Sequence, residues 1–196
     1  MTTTDNASDW FRGFGTASIR GGGNFLAPGV YDLEVLLLLR KQSQNPSTMG
    51  HIMVIGEMTV VNVVTAYPAD QGTAAPGAPP DWAASNQRGE KTSYIQNFTR
   101  HHDMARGNTK GLLLAILNSK AIAQAVAAGK PMPQLIGEKD PTPEQWEQAI
   151  SMATAPPGEW AKGTLVRAHV GKTRTKAKAP FTPVTWAPLA PATAAA

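Results

Sequence analysis

The clearest chemical pattern lies near the C-terminal end, where Arg167, Lys172, Arg174, Lys176 and Lys178 are basic and no acidic residue falls between them. From Lys172 to Lys178 every second residue is a cation, and Pro180 and Phe181 follow. Cations spaced this way on a projecting hairpin can track the phosphates of a nucleic-acid strand. Each neutralised phosphate releases counterions, and an aromatic at the base of the hairpin offers a face for base stacking. The competing explanation is a solvated turn kept polar for solubility. Arg40 and Lys41, at the end of a predicted first strand, extend the candidate site. Arg100, Arg106 and Lys110 add support, although each alone is ordinary surface. Tyr94 stacks a base if it points outward from its strand, and a buried core tyrosine is the equal alternative.

The other reactive residue types form no constellation. His101, His102 and Asp103 are potential metal ligands, but adjacent residues do not converge on one ion, and no second ligand pair stands at zinc spacing. His51 and His169 stand alone and read as surface residues. Gly21-Gly22-Gly23 lacks the following Lys-Ser/Thr of a phosphate-binding loop, and Gly13-X-Gly15 lacks the third glycine of a dinucleotide fingerprint. No serine sits in a nucleophile-elbow pattern, and no carboxylate pair is set apart from the surface acids. The expectation is therefore equilibrium binding without chemistry: no enzyme, no cofactor and no metal.

Composition sets the frame for these residues. A chain of 196 residues with low-complexity ends leaves enough sequence for one hydrophobic core. There is no cysteine, so disulfides and cysteine-ligated zinc are excluded. Apolar runs such as Val35 to Leu39 are too short to span a bilayer, and the start Met1-Thr2-Thr3-Thr4-Asp5 lacks the order of a signal peptide, so no membrane partner is expected. The formal net charge is +4, which is informative only because it is concentrated.

The elements that must position the basic turn follow from periodicity. Residues 1–26 read as a flexible, glycine-rich arm. After Pro28-Gly29, Tyr31, Leu33 and Val35 share one face while Asp32 and Glu34 share the other, which predicts a half-buried strand running to Arg40-Lys41. Leu36 to Leu39 is apolar on both sides and marks a subunit interface, hence a homo-oligomer, as readily as a fully buried strand. A second strand is expected from His51 to Thr65 with Ile52, Val54, Met58, Val60 and Val64 on one face. A Pro-rich loop covers 66–90, and a third strand runs from Lys91 to Phe98. Asn108 or Thr109 is expected to cap a helix carrying Leu112, Leu113, Ile116 and Leu117, with Ile122 and Val126 extending it or following a break. A second helix is signalled by the capping-box spacing of Thr142 and Gln145 and by Pro143 at its first position. It should bury Trp146 and Ile150 and stop before Pro156. The last predicted element is a hairpin, Thr164–Val170 and Phe181–Trp186, joined by the basic turn, with Trp186 in the core. A disordered Ala/Pro tail takes 189–196.

The expected order, β-β-β-α-α-β-β, is that of an OB-like five-stranded β-barrel of mostly β (α+β) class, here spanning residues 27–188. In such barrels the loop between the fourth and fifth strands contacts oligonucleotides, which is where the basic turn falls.

Several short stretches together resemble a family of small phage and prophage proteins. They are Gly21-Gly22-Gly23-Asn24-Phe25 leading to Pro28-Gly29-Val30-Tyr31, then Gly107-Asn108-Thr109-Lys110 opening a leucine-rich helix. Thr173-Arg174-Thr175-Lys176 and Phe181-Thr182-Pro183-Val184-Thr185-Trp186 complete the set. The resemblance implies an OB-like domain that binds single-stranded DNA in the host cytoplasm and serves phage DNA replication or recombination, with proteins of those processes as partners. On this expectation Arg167, Lys172, Arg174, Lys176, Lys178, Arg40 and Lys41 contact phosphates, and Phe181 and Tyr94 stack bases. The alternative, from a different class, is a phage structural protein, a capsid or tail accessory β-domain.

Overall fold

A computed structural model describes Leu26 and residues 28–42, 52–66, 88–89, 91–98, 103–171, 174–176, 179–181 and 183–190, the backbone alone for 66, 96–98, 103–104, 174–176 and 179–181. The predicted arm, apart from Leu26, most of the Pro-rich loop and the end of the tail lie outside these residues.

The first strand, β1 (Gly29–Gln42), keeps the alternation of its sequence: Tyr31, Leu33 and Val35 are fully buried on one face. The leucine run takes its phase from pairing with β2 (Ile52–Ala66). That antiparallel register slips between Val35 and Leu37, so the core side passes from Val35 to Leu38 while Leu37 and Leu39 take the opposite face. A bulge of this kind changes which side chains meet the core without ending the strand. On β2 the expected Ile52, Val54, Met58 and Val60 are buried, but Val64 is exposed. Two further slips, at Val30/Tyr31 and Asp32/Leu33, bring Val63 opposite Tyr31 and give it the core side in place of Val64.

With β3 (Lys91–Phe98), β4 (Leu165–Val170) and β7 (Val184–Pro188), these strands form one antiparallel sheet in the order β3-β2-β1-β4-β7. The sheet is not closed by a ladder between β3 and β7. Its two edges nevertheless meet through side chains: the rings of Tyr94 on β3 and Trp186 on β7 stand 5.1 Å apart, edge to face. Such a pair contributes beyond its buried area and holds the sheet curled.

Helix α1 (Asp103–Ala127) covers the core face between these edges, burying Leu112, Leu113 and Ile116 and packing against β3, β4, β7 and the second helix. It begins a turn earlier than expected. Asn108 and Thr109 are interior and buried, not caps, because the Thr109 hydroxyl donates back to the Ala105 carbonyl at 2.8 Å within the helix. The helix is continuous through Ile122, whereas Val126 is exposed. Asn118 fixes the chain beyond it, accepting from the Ile136 N–H and donating to the Ile136 carbonyl.

Helix α2 (Pro143–Ala153) carries the capping box that its sequence spells: the Gln145 N–H donates to Thr142 Oγ1, and the Thr142 N–H donates to Gln145 Oε1. Trp146 and Ile150 are buried, as expected. The segment after α2 then runs beside the second half of β1, where β4 does not reach. Leu38 N–H donates to the Gly158 carbonyl, Val35 N–H to Thr164, Gly163 N–H to Val35 and Arg40 N–H to Thr154. These bonds satisfy a strand edge that would otherwise be open.

Candidate nucleic-acid interface

The connection between β4 and β7 leaves the sheet through a closed neck. The Gly171 N–H donates to the Pro183 carbonyl at 2.8 Å, and a Cβ on Gly171 would stand 2.8 Å from Pro183 Cγ, so the two strands part with their backbones in contact. Beyond the neck, β5 (Arg174–Lys176) and β6 (Ala179–Phe181) form a separate two-stranded antiparallel hairpin. The single strand expected from Phe181 to Trp186 is therefore two: Phe181 ends β6, and β7 starts at Val184. Pro183, with no N–H to give a ladder, sits at the break. Across the hairpin Arg174 is opposite Phe181 and Lys176 opposite Ala179, which puts a cation and an aromatic on neighbouring positions. Lys172 and Lys178 lie outside the described residues.

The other predicted contacts separate from this group. Arg167, on the open face of β4, is opposite Asp32 of β1, and its Nε and Nη2 donate to the two carboxylate oxygens at 2.7 and 3.1 Å. Asn62 of β2 donates to the same carboxylate at 3.2 Å, giving a row Asn62-Asp32-Arg167 across three strands. The row explains why Asp32 is buried on the open face. Donating to the Asp32 carboxylate holds the guanidinium above its ordinary pKa, and the pair is neutral, so Arg167 adds little to a positive field.

The outward orientation considered for Tyr94 does not hold. It is 1% exposed, with its ring against Trp186, so no base can reach its face. Burial raises its phenol well above the ordinary value, and a hydrogen bond with Trp186 acts in the opposite direction. Its position follows from alternation in β3, where Lys91, Ser93 and Ile95 take the open side. Arg40 points to the helical side, half-buried, with Nη1 3.3 Å from Ser151 Oγ of α2, while Lys41 is exposed. Both stand at the opposite end of β1 from the neck, since Gly29 pairs with Val170.

Two lysines are absorbed by tryptophans. Lys110 is buried with Nζ 4.9 Å from the Trp146 ring centre and 3.9 Å from Glu138; burial lowers its pKa and Glu138 partly restores it. Lys120 donates to the Trp160 carbonyl at 2.6 Å and lies 4.4 Å over that ring. Arg100 lies outside the described residues, and Arg106 is a half-buried part of α1.

At the foot of the neck is a cleft of about 220 Å³ lined by Gly29, His169, Val170, Gly171, Pro183 and Thr185. His169 and Thr185 are exposed register partners on the open face of β4 and β7. In the sequence His169 reads as a lone surface residue; its place three positions before the first cation of the basic connection is the available signal. Among the described residues no three His, Asp or Glu side chains group as metal ligands, and no helix is long and apolar enough to cross a membrane. No family model matches the chain, and no curated protein matches it.

Proposed function

We propose that the protein is a sequence-tolerant single-stranded DNA-binding protein of phage type, acting in DNA replication or recombination through an OB-like barrel. The observation that carries this reading is the place of the basic hairpin: it is inserted between the fourth and last strands of a curled β3-β2-β1-β4-β7 sheet whose helices lie between β3 and β4. That is where an OB-fold carries one of its oligonucleotide-contacting loops. Charge supports the same location. Residues 160–196 hold six Lys or Arg and no Asp or Glu, whereas the first 159 residues hold 12 cations against 14 acids.

Binding is an equilibrium with no bond made or broken. Lys172, Arg174, Lys176 and Lys178 take phosphates, Phe181 stacks a base, and released counterions supply much of the free energy. A single strand is preferred to duplex because stacking needs bases freed from their neighbours. The test is competition between a labelled single-stranded oligonucleotide and duplex of the same length at two salt concentrations. Tighter, salt-sensitive single-strand binding is expected. Equal affinity for duplex, or no binding, rejects the reading.

A further inference from the structure

We propose that the cleft at the foot of the neck is a base subsite, in which the imidazole of His169 and the hydroxyl of Thr185 receive one unstacked base of the bound DNA strand. The subsite rests on the single-strand reading and adds a recognition element that the basic hairpin does not contain. Three observations converge on it.

First, the cleft is placed for a strand that follows the hairpin. Gly171 forms part of its wall, and Lys172, the first cation of the basic connection, is the next residue in the sequence. Second, its chemistry suits a base. His169 and Thr185 face each other across β4 and β7, joining a flat aromatic ring to a group that both donates and accepts hydrogen bonds. Pro183 and Val170 supply apolar wall, and Gly29 and Gly171 leave backbone accessible. No Lys, Arg, Asp or Glu lines the cleft, which fits an uncharged ring better than a phosphate. Third, it is accessible. The cleft of about 220 Å³ is open to solvent, so a ring can be laid against its wall while sugar and phosphate stay on the solvent side.

The experiment measures anisotropy of labelled oligothymidine, and of an oligonucleotide of equal length with abasic sugar-phosphate units, on the full chain and on His169→Ala, His169→Phe and Thr185→Phe. The last substitution fills the cleft from the solvent side. His169→Ala and Thr185→Phe should each bind oligothymidine about tenfold more weakly with the salt slope unchanged, as expected when base stacking is removed and phosphate binding is kept. Neither should lose affinity for the abasic strand, and His169→Phe should retain wild-type binding. If Thr185→Phe melts earlier than wild type, His169→Ala alone decides. Wild-type affinity for oligothymidine in His169→Ala, or an equal loss on the abasic strand, overturns the subsite while leaving single-strand binding intact. If the wild-type chain binds neither strand at low salt, the functional reading fails, and the subsite with it.

Discussion

Lys110, Lys120 and Arg167 have partners in the fold, whereas the cations of the β4–β7 connection, of the same residue types, have no acidic neighbour in the sequence. The first three are matched where they stand, by Trp146 and Glu138, by the ring and carbonyl of Trp160, and by the Asp32 carboxylate. The connection holds Lys172, Arg174, Lys176 and Lys178 among Thr and Ala, in a stretch with no acid after Glu159, and its four charges equal the formal net charge of the chain. A cation enclosed by the fold serves packing through its stem and its partner. A run of cations on a projecting hairpin instead sets up a field that a polyanion can meet. Counting basic residues cannot separate the two roles, but their local neighbours largely can.

The largest expected effect tests the framework side of this contrast. Tyr94→Ala removes the ring that joins β3 to β7 and leaves a cavity in the core. It should destabilise the fold by about 3–5 kcal/mol in urea denaturation, far more than any single substitution in the hairpin, which should stay within about 0.5 kcal/mol. A hairpin variant as damaging as Tyr94→Ala would erase the distinction.

Alkali should act on the framework next. Burial pushes the Tyr31 phenol up to about 12 from an ordinary value near 10, so the fold favours the neutral form. That stability is fully present below pH 10 and is lost as pH rises through about 12, by up to roughly 2–3 kcal/mol. Denaturation midpoints measured from pH 8 to 12 should fall over this window, and Tyr31→Phe should flatten the fall.

A smaller effect would convert a cation of one kind into the other. Asp32→Asn should cost about 1 kcal/mol of stability, since the pair is partly exposed through Arg167. It should also release Arg167 toward phosphate and steepen the single-strand salt slope by about 0.7. A slope that stays constant would mean that the open face of β4 is outside the strand's path.

Much of this division is legible in the chain. Alternation places Tyr31, Leu33 and Val35 inside, and Thr142, Pro143 and Gln145 locate the start of α2, because each of these signals is local. The phase of Leu36–Leu39 and the exposure of Val64 depend on bulges set by pairing between strands, which no single strand encodes. The start of α1 escapes a reading of the sequence because Asn108 and Thr109 are cap-forming types that here are buried inside a helix. At the site, the basic run is visible, but the pairing of Arg167 with Asp32 joins residues 135 positions apart, and the burial of Tyr94 requires Trp186 from the far edge of the sheet. The break at Pro183, which separates Phe181 from β7, is readable from the proline itself.

If the β4–β7 connection carries the binding of a single strand, the salt dependence of one variant tests it most directly. Replacing Lys172, Arg174, Lys176 and Lys178 together by Ala should leave the melting temperature nearly unchanged. The logarithmic salt slope of single-strand binding should flatten by up to about 2.8, about 0.7 for each phosphate no longer neutralised. Wild-type affinity together with a wild-type slope in that variant would contradict the account.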